Sequence, residues 1–218
     1  MDDGRDGAAR RAGGEDGTMR IDEHAALIVI DVQRGFDEPV WGPRDNPDAE
    51  ANIARLVEAW TTSGRPIVLV RHDSRTLGAT LDARGPGHRF KPVLDGVRHE
   101  LLVTKHVNSA FIGEPDLEAW LREQGIEQIV VCGIQTNMCV ETTARMGGNL
   151  GFDVVAALDA THTFDLEGPD GRVVPAAELG RITAVNLEGG GFAHVATTAE
   201  VVEAAQAAVA ATAPTAEG

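Results

Sequence analysis

The chain has 218 residues, of which 43% are apolar, enough for one domain with a large core and too apolar for global disorder. Nineteen lysines and arginines stand against 34 acids, for a net charge of −15, which repels a phosphate backbone and argues against a nucleic-acid partner. The longest strong apolar run, Ala25 to Ile30, falls far short of the roughly 18 residues that a membrane span needs.

Residues 1–20 are polar and glycine-rich with no apolar stretch of the kind a secretion signal requires. They are expected to form a disordered arm ahead of a domain covering 21–212, in a cytoplasmic protein, with 213–218 as a frayed tail. Two cysteines cannot build a disulfide framework, and both are expected as free thiols.

AALIVIDV at Ala25–Val32 is the unbroken apolar run of a strand buried on both faces, stopping at Asp31, Gln33 and Arg34. Ile53, Leu56, Val57 and Trp60 recur at helical spacing, and Ser63-Gly64 closes that helix. Pro66–His72 reads as the second strand, and Asp73–Gly96, rich in Gly, Pro and Arg, as a long functional loop. Leu101–Lys105 is the third strand, followed by a helix placed by Pro115 in its first turn with Leu117, Trp120 and Leu121 on one face. Then come a strand at Gln128–Gly133, a helix from about Asn137 to Leu150 and a strand at Asp153–Leu158. A helix around Pro175–Leu187, a strand at Phe192–Ala196 and a helix from Thr198 to about Ala211 complete the chain.

Such alternation demands a parallel sheet covered on both faces, with ligands bound beyond the carboxyl ends of the strands where the strand order reverses. Three reactive side chains fall at such ends: Asp31, Lys105 and Cys139. Cys139, near a helix N-terminus with Thr136 or Asn137 as cap and an ammonium as neighbour, is expected to have a depressed thiol pKa. Asp31 is suited to take the thiol proton and return it to a leaving amine. Cys132, inside an apolar strand, reads as inert core. Gly147, Gly148 and Gly151 fall late in or beyond a helix, where packing and capping explain them better than a phosphate loop does.

The segments IVIDVQRGF, VTKHVNSAF and GIQTNMCVETTARMGGNLGFDVV, in this order, resemble the three signature segments of the isochorismatase-like cysteine hydrolase superfamily. That superfamily includes nicotinamidases, carbamoylsarcosine and ureido amidohydrolases, and streptothricin hydrolases. The resemblance covers about residues 24–205. It implies a three-layer αβα fold with a six-stranded parallel sheet in the order 3-2-1-4-5-6 and a catalytic triad of Asp31, Lys105 and Cys139. It also implies an oxyanion hole from the backbone N–H groups of Gln135 and Cys139, with a cis peptide between Ile134 and Gln135. The implied activity is hydrolysis of a C–N bond in a small-molecule amide, lactam, carbamoyl or ureido compound through a thioester, without a cofactor. Vinyl-ether hydrolysis of the isochorismatase type, or a binding protein without catalysis, are the alternatives.

Nicotinamidases of this superfamily hold a divalent metal through an Asp-x-His and a later His. Here Arg75 stands where that motif places a histidine after Asp73, so no metal is expected despite His88. Phe36, Trp41, His72, Phe111, His162 and Phe164 are the candidates for the substrate pocket. His24, His99 and His194 have no functional case. Trp41, Phe111 and Ile112 lie in loops that a second subunit is expected to cover, in a homodimer or homotetramer.

Overall fold

The computed structural model describes residues 19–212, so the expectations for 1–18 and 213–218 lie outside the described residues. Met19 packs on the core, and the Arg20 carbonyl accepts a hydrogen bond from Gln128 Nε2 at 3.0 Å. No helix among the described residues is long and apolar enough to cross a membrane.

The strands are β1 (Ala26–Ile30), β2 (Ile67–His72), β3 (Leu101–Lys105), β4 (Gly113–Glu114), β5 (Gln128–Ile134), β6 (Asp153–His162), β7 (Leu166–Glu167), β8 (Val173–Val174) and β9 (His194–Ala196). The helices are α1 (Ala49–Ser63), α2 (Leu117–Glu123), α3 (Glu141–Asn149), α4 (Ala176–Gly189) and α5 (Thr198–Thr212). The main sheet has seven strands in the order β4-β3-β2-β1-β5-β6-β9, and all its pairings are parallel except β3 with β4. Six of the strands follow the order that the family resemblance implied. The seventh, β4, is a two-residue antiparallel edge, too short to show a period.

Every residue of β1 is buried, because helices cover both faces of the sheet. Leu27 and Val29 pack with Ile53, Leu56 and Trp60 of α1 and with Val201 of α5. Ala26, Ile28 and Ile30 pack with Leu117 and Leu121 of α2, Ala144 of α3 and Leu187 of α4. The Trp60 indole N–H is satisfied inside this core by the Ala25 carbonyl at 2.8 Å.

Three local boundaries differ from the sequence reading, each for a physical reason. Helix α2 begins after Pro115, because the Asp116 carboxylate accepts the Ala119 N–H and so caps it. Strand β6 runs on to His162 because, after a register shift between Val131 and Gly133, it pairs again at Gly133–Thr161 and Ile134–His162. The helix after β5 opens with a π turn, Thr136–Val140, that continues into α3.

The 73–96 stretch is not loose. Short 3₁₀ turns occupy Pro86–His88 and Pro92–Leu94. Buried Gln33 clamps the stretch: its Nε2 donates to the carbonyls of His72 and His88, both at 3.0 Å, and its Oε1 accepts the His72 N–H at 2.9 Å. Gly148 packs against Phe192, whose carbonyl oxygen would lie 2.4 Å from any Cβ placed there. That close approach accounts for a glycine late in α3.

Candidate active site

β1 and β5 end side by side, with β3 one strand further on beyond β2, and the chain order reverses between β1 and β5. At this edge β5 comes unusually close to β1. Gly133 has φ +123°, and a Cβ on it would lie 2.0 Å from the Ile30 carbonyl, so only glycine brings the 134–139 segment against Asp31. Asp31 itself lies just past β1 with φ +51°, in the left-handed region that aspartate tolerates. By strand alternation its side chain would follow Leu27 and Val29 toward α1. The left-handed turn instead sets it against Lys105 and Cys139, on the face that carries α2 and α3.

Lys105 Nζ donates to Asp31 Oδ2 at 2.5 Å and to Cys139 Sγ at 3.3 Å, and lies 3.3 Å from His72 Nδ1. Lys105 and Asp31 have no exposed side-chain surface, and Cys139 is 7% exposed. Burial raises the Asp31 pKa, and the ammonium offsets part of that rise. Burial alone would depress the Lys105 ammonium, but the charges of Asp31 and Cys139 outweigh it and hold the pKa above the ordinary lysine value. Burial also pushes the Cys139 thiol up, and the Asp31 charge adds to that push while Lys105 offsets part of it. The direction is opposite to the expected depression, because desolvation outweighs the ammonium.

One cation between two acids defines the chemistry available here. The cluster is neutral with the proton on Cys139 and Asp31 ionised, or with the proton on Asp31 and Cys139 as thiolate. Asp31 Oδ1 is buried with no partner among the described residues, a free acceptor for that proton. Cys132 is fully buried in β5 with its thiol also pushed far up by burial.

The segment carrying Cys139 is held from below. The Ile134–Gln135 peptide is cis. Neither expected cap serves the helix: the Thr136 hydroxyl bonds Thr161 at 2.8 Å, and Asn137 Oδ1 accepts the Thr163 hydroxyl at 2.5 Å. Thr163 also reaches Gln135 Oε1 at 3.5 Å. Thr163 and Asn108 went unnoticed in the sequence, and Gln33 was read only as one of the polar residues that end the first strand. Gln33 and Asn108 sit inside the quoted segments, whereas nothing local marks Thr163.

The six candidate pocket residues divide. Phe36, Trp41 and Phe164 form one aromatic group, with ring centroids 5.2, 5.4 and 6.3 Å apart. His162 sets its edge against Phe164 at 5.3 Å. It is fully buried, neither ring nitrogen has a hydrogen-bond partner among the described residues although Nε2 lies 3.8 Å from Glu50 Oε1, and burial with the nearby Arg44 and Lys91 cations lowers its pKa to about 3. His72 stands beside Lys105, with its pKa lowered by burial and by the Lys105 charge to about 4. Phe111 is a core residue, stacked on Phe152 at 5.7 Å. Trp41 is half-buried and donates to the Gly35 carbonyl at 2.7 Å. The chain itself buries Phe111 and half-buries Trp41, while Ile112 is exposed.

The nicotinamidase-type metal position does not fit these residues. Asp73 Oδ1 is taken by His88 Nε2 at 2.5 Å and Arg71 Nε at 3.2 Å, and Arg75 offers no lone pair. Asp31, His72 and Cys139 do bring an O, an N and an S donor within 4.8 Å of one another. The Lys105 ammonium, bonded to all three, is the cation those donors already surround.

The model of the isochorismatase domain matches residues 25–200. The chain belongs to the isochorismatase family. An isochorismatase family protein of Bacillus subtilis, YrdC, is 35% identical over 182 residues, covering 84% of this chain and 96% of its own. A streptothricin hydrolase of Streptomyces noursei is 35% identical over 162 residues, 72% of this chain and 56% of that protein. Among solved structures, an isochorismatase-family protein from Chromobacterium violaceum aligns with a TM-score of 0.82 at 38% identity, covering 88% of this chain and 98% of that one. A cysteine hydrolase from Pseudomonas syringae pv. phaseolicola aligns with a TM-score of 0.77 at 28% identity, covering 86% and 95%. The chain is thus an isochorismatase-family hydrolase by descent and fold.

Proposed function

We propose that this hydrolase uses Cys139 to open a C–N bond of a small-molecule amide, lactam, carbamoyl or ureido compound through a thioester. The observation that carries the proposal is the Lys105 ammonium, 2.5 Å from Asp31 Oδ2 and 3.3 Å from Cys139 Sγ, in a site closed to solvent. The thiol proton passes to Asp31 as sulfur attacks the acyl carbon, so the cluster stays neutral while the thiolate forms. The oxygen of the tetrahedral intermediate takes hydrogen bonds from the backbone N–H groups of Gln135 and Cys139. Asp31 then protonates the departing nitrogen, and the amine leaves as the carbonyl re-forms. Water, deprotonated by Asp31, hydrolyses the thioester and restores the thiol.

The streptothricin hydrolase relative and the cysteine hydrolase neighbour support C–N chemistry at a cysteine. The net charge of −15 steers neutral and cationic substrates in preference to anions. Val40 and Leu77, each 77% exposed, and Ile112 at 61% support a homodimer or homotetramer. The test is a screen of primary amides, carbamoyl compounds, ureides and lactams for release of ammonia or amine, run in parallel on wild type and Cys139→Ala. Turnover that is retained in Cys139→Ala would overturn the proposal.

A further inference from the structure

Besides Lys105, a second side chain reaches the Cys139 thiol. Asn108 Oδ1 lies 3.9 Å from Cys139 Sγ, and Asn108 has no other hydrogen bond among the described residues. It is exposed, whereas Lys105 and Asp31 are closed off. Substrate must therefore approach along the side that Asn108 occupies.

Asn108 is exposed but its backbone is anchored. Ser109, buried beside it, donates to Met146 Sδ at 3.0 Å and accepts the Phe111 N–H at 3.2 Å. The Ala110 N–H binds Thr143 Oγ1 of α3 at 3.1 Å. Phe111 stacks on Phe152, and Lys105 pairs with Gly113 where the loop returns to the sheet. A carboxamide on an anchored backbone whose Oδ1 faces the sulfur of a nucleophile is a recognition group, since it presents an acceptor to an incoming N–H.

We propose that Asn108 determines substrate class by pairing its carboxamide with the N–H of the acyl group that Cys139 attacks, so the site selects primary amides, carbamoyl and ureido groups over carboxylates and esters. This rests on the cysteine-hydrolase reading above. When sulfur comes within about 3–3.5 Å of a carbonyl carbon, a substrate that enters past Asn108 can turn the nitrogen on that carbon toward Oδ1, itself 3.9 Å from the sulfur. An ester offers no N–H there, and a carboxylate sets its charge against Asn108 Oδ1. The neighbouring cations do not favour a carboxylate either. Lys105 is held by Asp31, Arg71 is paired with Asp73, and His72 is uncharged at neutral pH. The neutral His72 ring turns Nδ1, its acceptor, to the Lys105 ammonium at 3.3 Å.

Iodoacetamide and iodoacetate test this without a known substrate, because they alkylate the same sulfur and differ in carrying a carboxamide or a carboxylate. The measurement is the rate of modification of Cys139, followed by peptide mass, in wild type, Asn108→Leu and Asn108→Asp. An exposed position makes all three foldable. Asn108→Leu is expected to slow iodoacetamide about fivefold to tenfold, the loss of one net hydrogen bond, while changing the iodoacetate rate less than about twofold. Asn108→Asp is expected to slow iodoacetate more than iodoacetamide, by like-charge repulsion. A reactive Cys139 whose preference between the reagents ignores residue 108 would overturn this inference alone. A Cys139 inert to both reagents in wild type would overturn the cysteine-hydrolase reading and this inference with it.

Discussion

Replacing Lys105 by methionine removes one charge of an ion pair that has no exposed side-chain surface on either partner, 2.5 Å apart. Methionine fills much of the same volume, so the loss is mainly electrostatic. Breaking a buried pair from one side costs roughly 3–5 kcal/mol, because the remaining charge is left desolvated. For a domain of this size each kcal/mol lowers Tm by roughly 2–4 °C, so the variant should melt roughly 6–20 °C below wild type at pH 8. The orphaned Asp31 can escape the penalty by taking a proton. Its folded-state pKa is already raised by burial and rises further without the ammonium. A raised carboxyl pKa makes the folded state bind more protons than the unfolded one, so stability falls as pH rises through the folded value and recovers on acidification. The deficit of Lys105→Met relative to wild type should therefore be smaller at pH 5 than at pH 8, as read by thermal melts in matched buffers. Lys105→Met combined with Asp31→Asn removes both charges and should regain most of the lost stability. Equal deficits at both pH values, or a double variant no more stable than the single, would refute the charge balance argued for this site.

Three further outcomes follow from the same geometry. Cys139→Ser should abolish turnover of any substrate found by the amide screen, whereas Cys132→Ala, which empties a small volume inside β5, should leave turnover near wild type and lower Tm by a few degrees. Glu50 accepts Arg44 at 2.6 and 2.7 Å and Lys91 at 2.7 Å, and these bonds overcome burial to hold its pKa at about 2. Its contribution to stability is present above the unfolded pKa and lost as pH falls toward 2, so Glu50→Gln should destabilise at pH 7 and flatten the loss of stability below pH 4.5 in chemical denaturation. Extensive chelation should leave turnover unchanged, since each step is given to a side chain or a backbone N–H; activity lost to chelation and restored by a divalent ion would place a metal in the reaction.

Much of the fold was legible in the chain because strands buried on both faces, such as AALIVIDV, and amphipathic helices, such as that of Ile53, Leu56, Val57 and Trp60, report their environment through period alone. Alternation of the two then restricts the topology to a right-handed doubly wound sheet. The positions of Asp31, Lys105 and Cys139 at strand ends were legible for the same reason, since an apolar run stops where the sheet edge meets solvent or ligand. What local sequence could not carry was direction and charge. Asp31 reaches Lys105 and not α1 because a single left-handed residue reverses the strand's alternation, and β5 approaches β1 only because Gly133 has no Cβ. The thiol pKa goes up and not down because desolvation depends on everything packed around Cys139, a property of the assembled site and not of any segment. Phe111 belongs to the core and Asn108 to the open side of the thiol, although they lie three positions apart in one loop. Which of two neighbours faces inward in an irregular segment is settled by the contacts that the rest of the chain brings to it.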